Sequence, residues 1–137
     1  MKKINLLNVK KNPKIKRYVG SKLRSISNRI NSTYRDKRLF DGSRNDGYGG
    51  FKYDGRWIPI ARKLCNKYKL NNKSKIIQLS CEKGFLLNDI KNLFPQMKIN
   101  GVEQSDYAIK NSMKSVKKFI IKGNQERLKL YKKNHFD

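Results

Sequence analysis

Two periodicities divide the chain. Between Ser21 and Arg38, the apolar residues Leu23, Ile26, Ile30 and Tyr34 recur at spacings of three and four. That period predicts a basic amphipathic helix whose thin stripe packs on the core. Ile60, Leu64 and Tyr68 recur at i, i+4 and i+8 behind Pro59, a residue suited to a first helical turn. The spacing predicts a helix over 58–69 with one buried face, ended by Asn71-Asn72. From Lys75 onward the pattern alternates. Lys75–Leu79 reads as a buried strand, Phe85–Phe94 as a helix and Lys98–Glu103 as a strand. Asp106–Val116 reads as a helix, Lys118–Lys122 as a strand, and Gln125–Tyr131 as a short helix or turn. His135-Phe136-Asp137 reads as the approach to a fourth strand. Strands and helices alternating over short links predict an α/β fold with a parallel sheet of about three to four strands and right-handed crossovers.

The rest of the chain has no clear period. Residues 1–20 are interrupted by Pro13 and read as an arm or a loosely docked turn. Residues 41–56 are rich in Gly, Asp, Arg and Tyr and read as an ordered loop. Three regions result: a basic arm and helix over 1–38, a Gly/Tyr-rich cap loop and helix over 39–73, and an α/β domain over 74–137.

Charge sharpens this division. The net charge is +24, and residues 1–38 hold 13 basic residues against one acid, Asp36. A balance of that kind points to polyanions, so nucleic acid is a candidate partner. It is not the favoured one. Lysines number 25 and arginines 9, and Lys, Asn and Ile share A+T-rich codons, whereas Arg is the better fork for phosphate and base edges. No apolar run is long enough to span a bilayer and no apolar h-region follows the basic start, so the expected location is cytoplasmic. Cys65, Cys81 and His135 are the only cysteines and histidine, which argues against a zinc site and gives no disulfide framework.

The chemistry centres on the first strand-to-helix turn. In a doubly wound sheet, a Gly-rich turn after strand one lets backbone approach a nucleotide, and an acid about 20 residues on takes ribose hydroxyls. Gly84 ends the first strand-to-helix turn, and Glu103 lies 19 residues later, at the end of a strand. Taken alone, Glu103 reads equally well as a surface acid.

Two segments carry a resemblance. FDGSRNDGYGGFKYDGRW, from Phe40 to Trp57, and KIIQLSCEKGFLL, from Lys75 to Leu87, resemble the class I S-adenosylmethionine-dependent methyltransferases, in a bacterial subgroup with this extension before the domain. The resemblance covers roughly residues 35–137 and reaches the start of the family's fourth strand at Phe136-Asp137. It implies a Rossmann-like fold with an incomplete sheet, S-adenosylmethionine as the ligand, and methyl transfer to a small-molecule or sugar acceptor. The family typically reads V-L-D-x-G-C-G-K-G-F-L-L at the turn. Its acid falls on Gln78, its first two glycines on Ser80 and Glu82, and its third on Gly84, with Cys81 and Phe85 matching. GVEQSDYAI, Gly101 to Ile109, resembles the second strand and helix. It implies Glu103, with Gln104 beside it, as the ribose acid, and Asn124 after strand three as a polar neighbour of the adenine.

Gln78 keeps hydrogen-bonding atoms but lacks the charge that draws an ammonium. Ser80 adds a side chain where bare backbone is wanted, and Glu82 adds bulk and negative charge beside the ligand's carboxylate. These departures predict weak or absent binding of the free cofactor. In the extension, Arg44, Tyr48, Tyr53 and Arg56 are candidates for holding an anionic or sugar-like group, while Trp57 reads as packing. No residue presents itself as a catalytic base. Two other readings stand beside this one: a non-catalytic remnant or partner-dependent binding module, and a basic nucleic-acid-binding protein.

Overall fold

The alternation from Lys75 onward builds a three-stranded, all-parallel sheet in a computed structural model that describes residues 24–137. Strand β1 (Lys75–Leu79) pairs with β2 (Lys98–Glu103), from Lys75 opposite Lys98 to Leu79 opposite Val102. Strand β2 pairs with β3 (Ile120–Lys122), from Gly101 opposite Ile120 to Glu103 opposite Lys122. The order β1-β2-β3 places β2 in the centre. It is therefore β2 that is buried, with Ile99, Val102 and Glu103 at 3% exposure or less. The expectation of a buried β1 is corrected: an edge strand has one neighbour, and β1 is half-buried with Leu79 exposed. No fourth strand forms among the described residues. Asp137 nonetheless donates its backbone N–H to the Lys75 carbonyl at 2.9 Å and accepts from the Lys75 N–H through Oδ2 at 2.8 Å, on the free edge of β1.

The described residues form five α-helices in chain order: α1 (Ile26–Thr33), α2 (Lys37–Asp41), α3 (Ile58–Tyr68), α4 (Phe85–Leu93) and α5 (Asp106–Lys110), of which α2 and α5 are single short turns of five residues. Ser25 caps α1, accepting from the Asn28 N–H. The predicted apolar stripe does not pack: Ile26 is 77% exposed, Ile30 50% and Tyr34 55%. Helix α1 docks through its amide face instead, with Asn28 and Asn31 donating to Asp46 Oδ1 at 2.7 and 3.2 Å. Leu23, which begins the predicted stripe, and the arm over 1–20 lie outside the described residues.

Helix α3 also turns a different face inward. Ala61 and Cys65 are buried, one position on from Ile60 and Leu64, which are half-buried, while Tyr68 is exposed. Small side chains let α3 lie close on α4, and the larger ones flank that contact. The core gathers Ala61, Cys65, Cys81, Leu87, Ile90, Met97, Ile99, Val116 and Ile120. The helix predicted over 106–116 stops at Lys110. Beyond it the chain docks on the turn after β1, where Met113 donates its N–H to the Lys83 carbonyl at 3.0 Å, a bond a continued helix does not allow.

Candidate functional site

The site is built on five residues, Ser80 to Gly84, between β1 and α4. Their backbone carries the main finding. Ser80, Glu82 and Gly84 have φ of 50°, 53° and 75°, so three alternate positions lie in the left-handed region. A residue with a Cβ costs about 1–2 kcal/mol there, yet two of the three left-handed positions, Ser80 and Glu82, carry side chains and only Gly84 is a glycine. At Gly84 a side chain has no room, because a Cβ would approach Val116 Cγ2 to 2.8 Å. The path is held by Gly84 N–H to Cys81 carbonyl at 2.8 Å, Cys81 N–H to Val102 carbonyl at 3.2 Å, and Glu82 N–H to Glu103 Oε2 at 2.8 Å. Ser80 is exposed and its hydroxyl has no partner among the described residues. Ser80→Gly is therefore expected to raise the unfolding free energy by about 0.5–1 kcal/mol in urea titration, the relieved strain less the glycine's extra chain entropy. A loss of stability would show that the left-handed path is not strained at this position.

Glu103 ends β2 at 0% exposure. Its Oε1 accepts from Arg35 Nη2 at 3.0 Å and from the Gln104 and Ser105 N–H groups at 2.9 Å each, while Oε2 takes Glu82 N–H. The carboxylate proposed for ribose hydroxyls is thus engaged, and Arg35 covers it. Arg35 has φ of 50°, at the break between α1 and α2, and its carbonyl accepts from the Ser105 hydroxyl. Its Nε is buried without a partner.

Around the turn the cap loop is fastened by polar links. Asp41 is the hub. Its carboxylate accepts from Lys83 Nζ at 2.9 and 2.7 Å, from the Phe51 N–H at 2.9 Å and from the Tyr107 hydroxyl at 2.8 Å, and Lys83 also donates to the Phe51 carbonyl at 2.9 Å. Tyr48 donates to Glu82 Oε1 at 2.7 Å, which joins cap to turn. Burial pushes the Glu82 carboxyl up, against the opposing pull of the Tyr48 hydrogen bond and the Arg35 charge. Burial and the same bond push the Tyr48 phenol up to about 12. Rings close the seam: Tyr48 stacks on Phe51 at 4.6 Å and Phe51 on Phe85 at 4.8 Å.

The other expected residues fall as follows. Tyr53 donates to the buried Asp89 and so pins the cap to α4. Arg44 Nη1 donates to the Gly47 and Tyr48 carbonyls at 3.3 and 3.0 Å, and Arg56 is clamped by Asp54 at 2.6 Å. Cys81 is a core residue whose thiol is pushed up to about 12, by burial first and the Glu103 charge second. Gln78 Oε1 is buried without a partner, and Gln78 lines a cavity of about 140 Å³ together with Ser80, Glu82, Phe85 and Trp57. On the cap side, Glu82, Phe85 and Trp57 also line a pocket of about 550 Å³ with Arg44, Tyr48, Phe51, Lys52 and Arg56. Across the sheet, Gln104 and Asn124 share an open cleft of about 600 Å³ with Lys122 and Arg127, but Asn124 Oδ1 is spent capping the turn at Glu126.

Sequence reasoning passed over Arg35, Asp41, Lys83 and Tyr107. The signal for Asp41 and Lys83 was weak, an acid in the cap motif and a base in the turn motif. Arg35 carried none. Among the described residues no group of three or more His, Cys, Asp and Glu side chains could hold a metal ion, and no helix is long and apolar enough to cross a membrane. No protein family, no curated protein and no solved structure matches the chain.

Proposed function

We propose that the chain is a methyltransferase-like protein of Rossmann-like, class I type, which binds S-adenosylmethionine at the C-terminal edge of its sheet and holds a small hydroxylated or sugar acceptor under the cap loop. One observation carries the reading: the glycine path of the turn persists at Ser80 and Glu82 in side chains that do not favour it. A parallel sheet binds ligands in the crevice beyond the carboxyl ends of its strands, and the turn, Glu103 and Asn124 all sit there.

The residues fit the methionyl end of such a ligand. Gln78 Oε1 is a buried acceptor without a donor, the complement of an ammonium. At the ribose end Glu103 supplies the carboxylate once Arg35 gives way. Bound there, the ligand supplies an electrophilic methyl group. The chain's own part is positioning: the turn fixes the ligand's height over the sheet, and Phe51, Phe85 and Trp57 keep water from the seam between the turn cavity and the cap pocket. Glu82 opposes binding, since its carboxylate lies beside the place of the ligand's carboxylate.

The test is calorimetric titration with S-adenosylhomocysteine on protein shown by circular dichroism to be folded. Weak binding is expected from the native sequence. Tighter binding, by tenfold or more, is expected from the triple variant Gln78→Asp, Ser80→Gly, Glu82→Gly, because a charge partner is restored and a repulsion removed; tenfold corresponds to about 1.4 kcal/mol. A folded triple variant that binds nothing would refute the proposal and leave the non-catalytic reading. The nucleic-acid reading has the +24 charge behind it and no built site: Tyr48, Phe51 and Phe85 stack on one another rather than standing free for bases.

A further inference from the structure

The cap pocket is polarised from floor to rim. Its floor holds the buried ring of Phe85 and the half-buried Glu82, whose carboxylate keeps acceptor capacity beyond its one bond to Tyr48. Its rim is cationic. Lys52 is exposed, and its ammonium has no ion pair or hydrogen bond among the described residues. Arg44 spends Nη1 on two loop carbonyls and keeps its other N–H groups. Arg56 contributes less, since Asp54 offsets its charge. Between floor and rim the lining includes Trp57 and Phe51, the latter stacked between Tyr48 and Phe85.

We infer that this pocket holds the acceptor as an anionic polyol: hydroxyl groups donating to Glu82 at the floor, an apolar ring edge or face against Trp57, and a carboxylate or phosphate at Lys52 and Arg44 on the rim. The inference rests on the proposed methyl-transfer reading and adds the acceptor's chemical class. An apolar ligand cuts the half-buried Glu82 carboxylate off from water while its Tyr48 bond alone satisfies it, which is costly. A cationic ligand meets the unpaired Lys52. A neutral sugar satisfies the floor and walls and leaves the rim idle. The volume of about 550 Å³ admits a monosaccharide-sized molecule bearing one anionic group.

Trp57 lines the pocket and is the chain's only tryptophan, so its fluorescence reports occupancy directly. The experiment titrates the full chain with glucose 6-phosphate, glucuronate and glucose at constant ionic strength. A saturable change with either anionic sugar, at least tenfold tighter than with glucose, is expected. The one that binds assigns phosphate or carboxylate as the anion. Lys52→Ala is expected to weaken the response at least tenfold and Lys52→Arg to retain most of it. Lys67→Ala, an exposed lysine on α3, is expected to behave as the native chain, which separates a site from diffuse attraction to a +24 surface. Lys52 has no partners among the described residues to lose, so its variants are expected to fold. A response as strong to glucose as to the anions, an unaltered response in Lys52→Ala, or no response to either anionic sugar overturns the inference. Titration with S-adenosylhomocysteine on the same samples keeps the two proposals apart. Its failure beside an intact Trp57 response removes the methyl donor and leaves the pocket.

Discussion

Asp41→Ala is expected to lower the unfolding free energy by about 3–5 kcal/mol, the cost of leaving a buried charge without its partner. The Lys83 side chain is 8% exposed and points its ammonium at Asp41 and the Phe51 carbonyl. With Asp41 gone, that ammonium keeps one carbonyl, and the Phe51 N–H and Tyr107 hydroxyl lose their acceptor as well. The Asp41 side chain is 23% exposed, so some water can enter, which favours the lower end of the range. Urea unfolding followed by circular dichroism checks this. Adding Lys83→Met should recover much of the loss, because an apolar residue needs no partner there. A cost below about 1 kcal/mol for Asp41→Ala would mean that the hub does not hold the cap.

The same carboxylate sets a pH dependence. Burial alone would raise it, but the hydrogen bonds from Lys83, Tyr107 and the Phe51 N–H outweigh burial and hold it below the usual aspartate value of 3.8. A depressed folded value means that the stabilisation is complete above the unfolded value and is lost as pH falls through the folded one. The native chain should therefore lose this contribution only below about pH 4, and Asp41→Asn should flatten that part of the acid limb. An acid limb of the same slope in Asp41→Asn would assign the loss to other groups.

Glu103→Gln is the second large effect, expected at about 3 kcal/mol. The carboxylate accepts four bonds and donates none, with donors facing both oxygens. An amide must turn an NH₂ group toward either the Glu82 N–H or the cluster of Arg35, Gln104 and Ser105 donors, which sets donor against donor at a fully buried carboxyl. The Glu82 amide should exchange with solvent faster, since its bond to Oε2 is what closes the turn. Unchanged stability and exchange would show that Glu103 does not clamp the turn. Arg35→Ala separates clamp from cover. It leaves the three backbone donors in place, so it should cost less than Glu103→Gln while exposing the carboxylate to a ligand.

Much of the α/β region was legible because its signals are local. The β-branched run Ile76-Ile77 and the turn ending at Gly84 mark β1 and its exit. Ser105 before Asp106 marks the start of α5, where its hydroxyl accepts from the Ala108 N–H. Helix faces were less legible. Ile60, Leu64 and Tyr68 satisfy a helical period as well as Ala61 and Cys65 do, and only closeness to α4 selects the smaller pair. The reach of α5 was misjudged for a similar reason, since the Met113-to-Lys83 bond that ends it joins residues from separate elements.

Sequence alone determined the order of the elements from α3 to β3, the parallel sheet and the position of the turn, because period, caps and turn residues act within a few residues of themselves, whereas the break of the predicted 21–38 helix at Arg35 and the short α2 went unread. Tertiary structure decided what each polar group does. Arg35 and Glu103 are 68 residues apart and Asp41 and Lys83 are 42 apart, and no local rule pairs them. Nor does the local pattern show that Ser80 and Glu82 follow a glycine's path. That conformation is imposed from outside the turn, by β2 through Val102 and Glu103 and by the cap through Lys83, and packing strong enough to impose it overrides the preference of the residues that carry it.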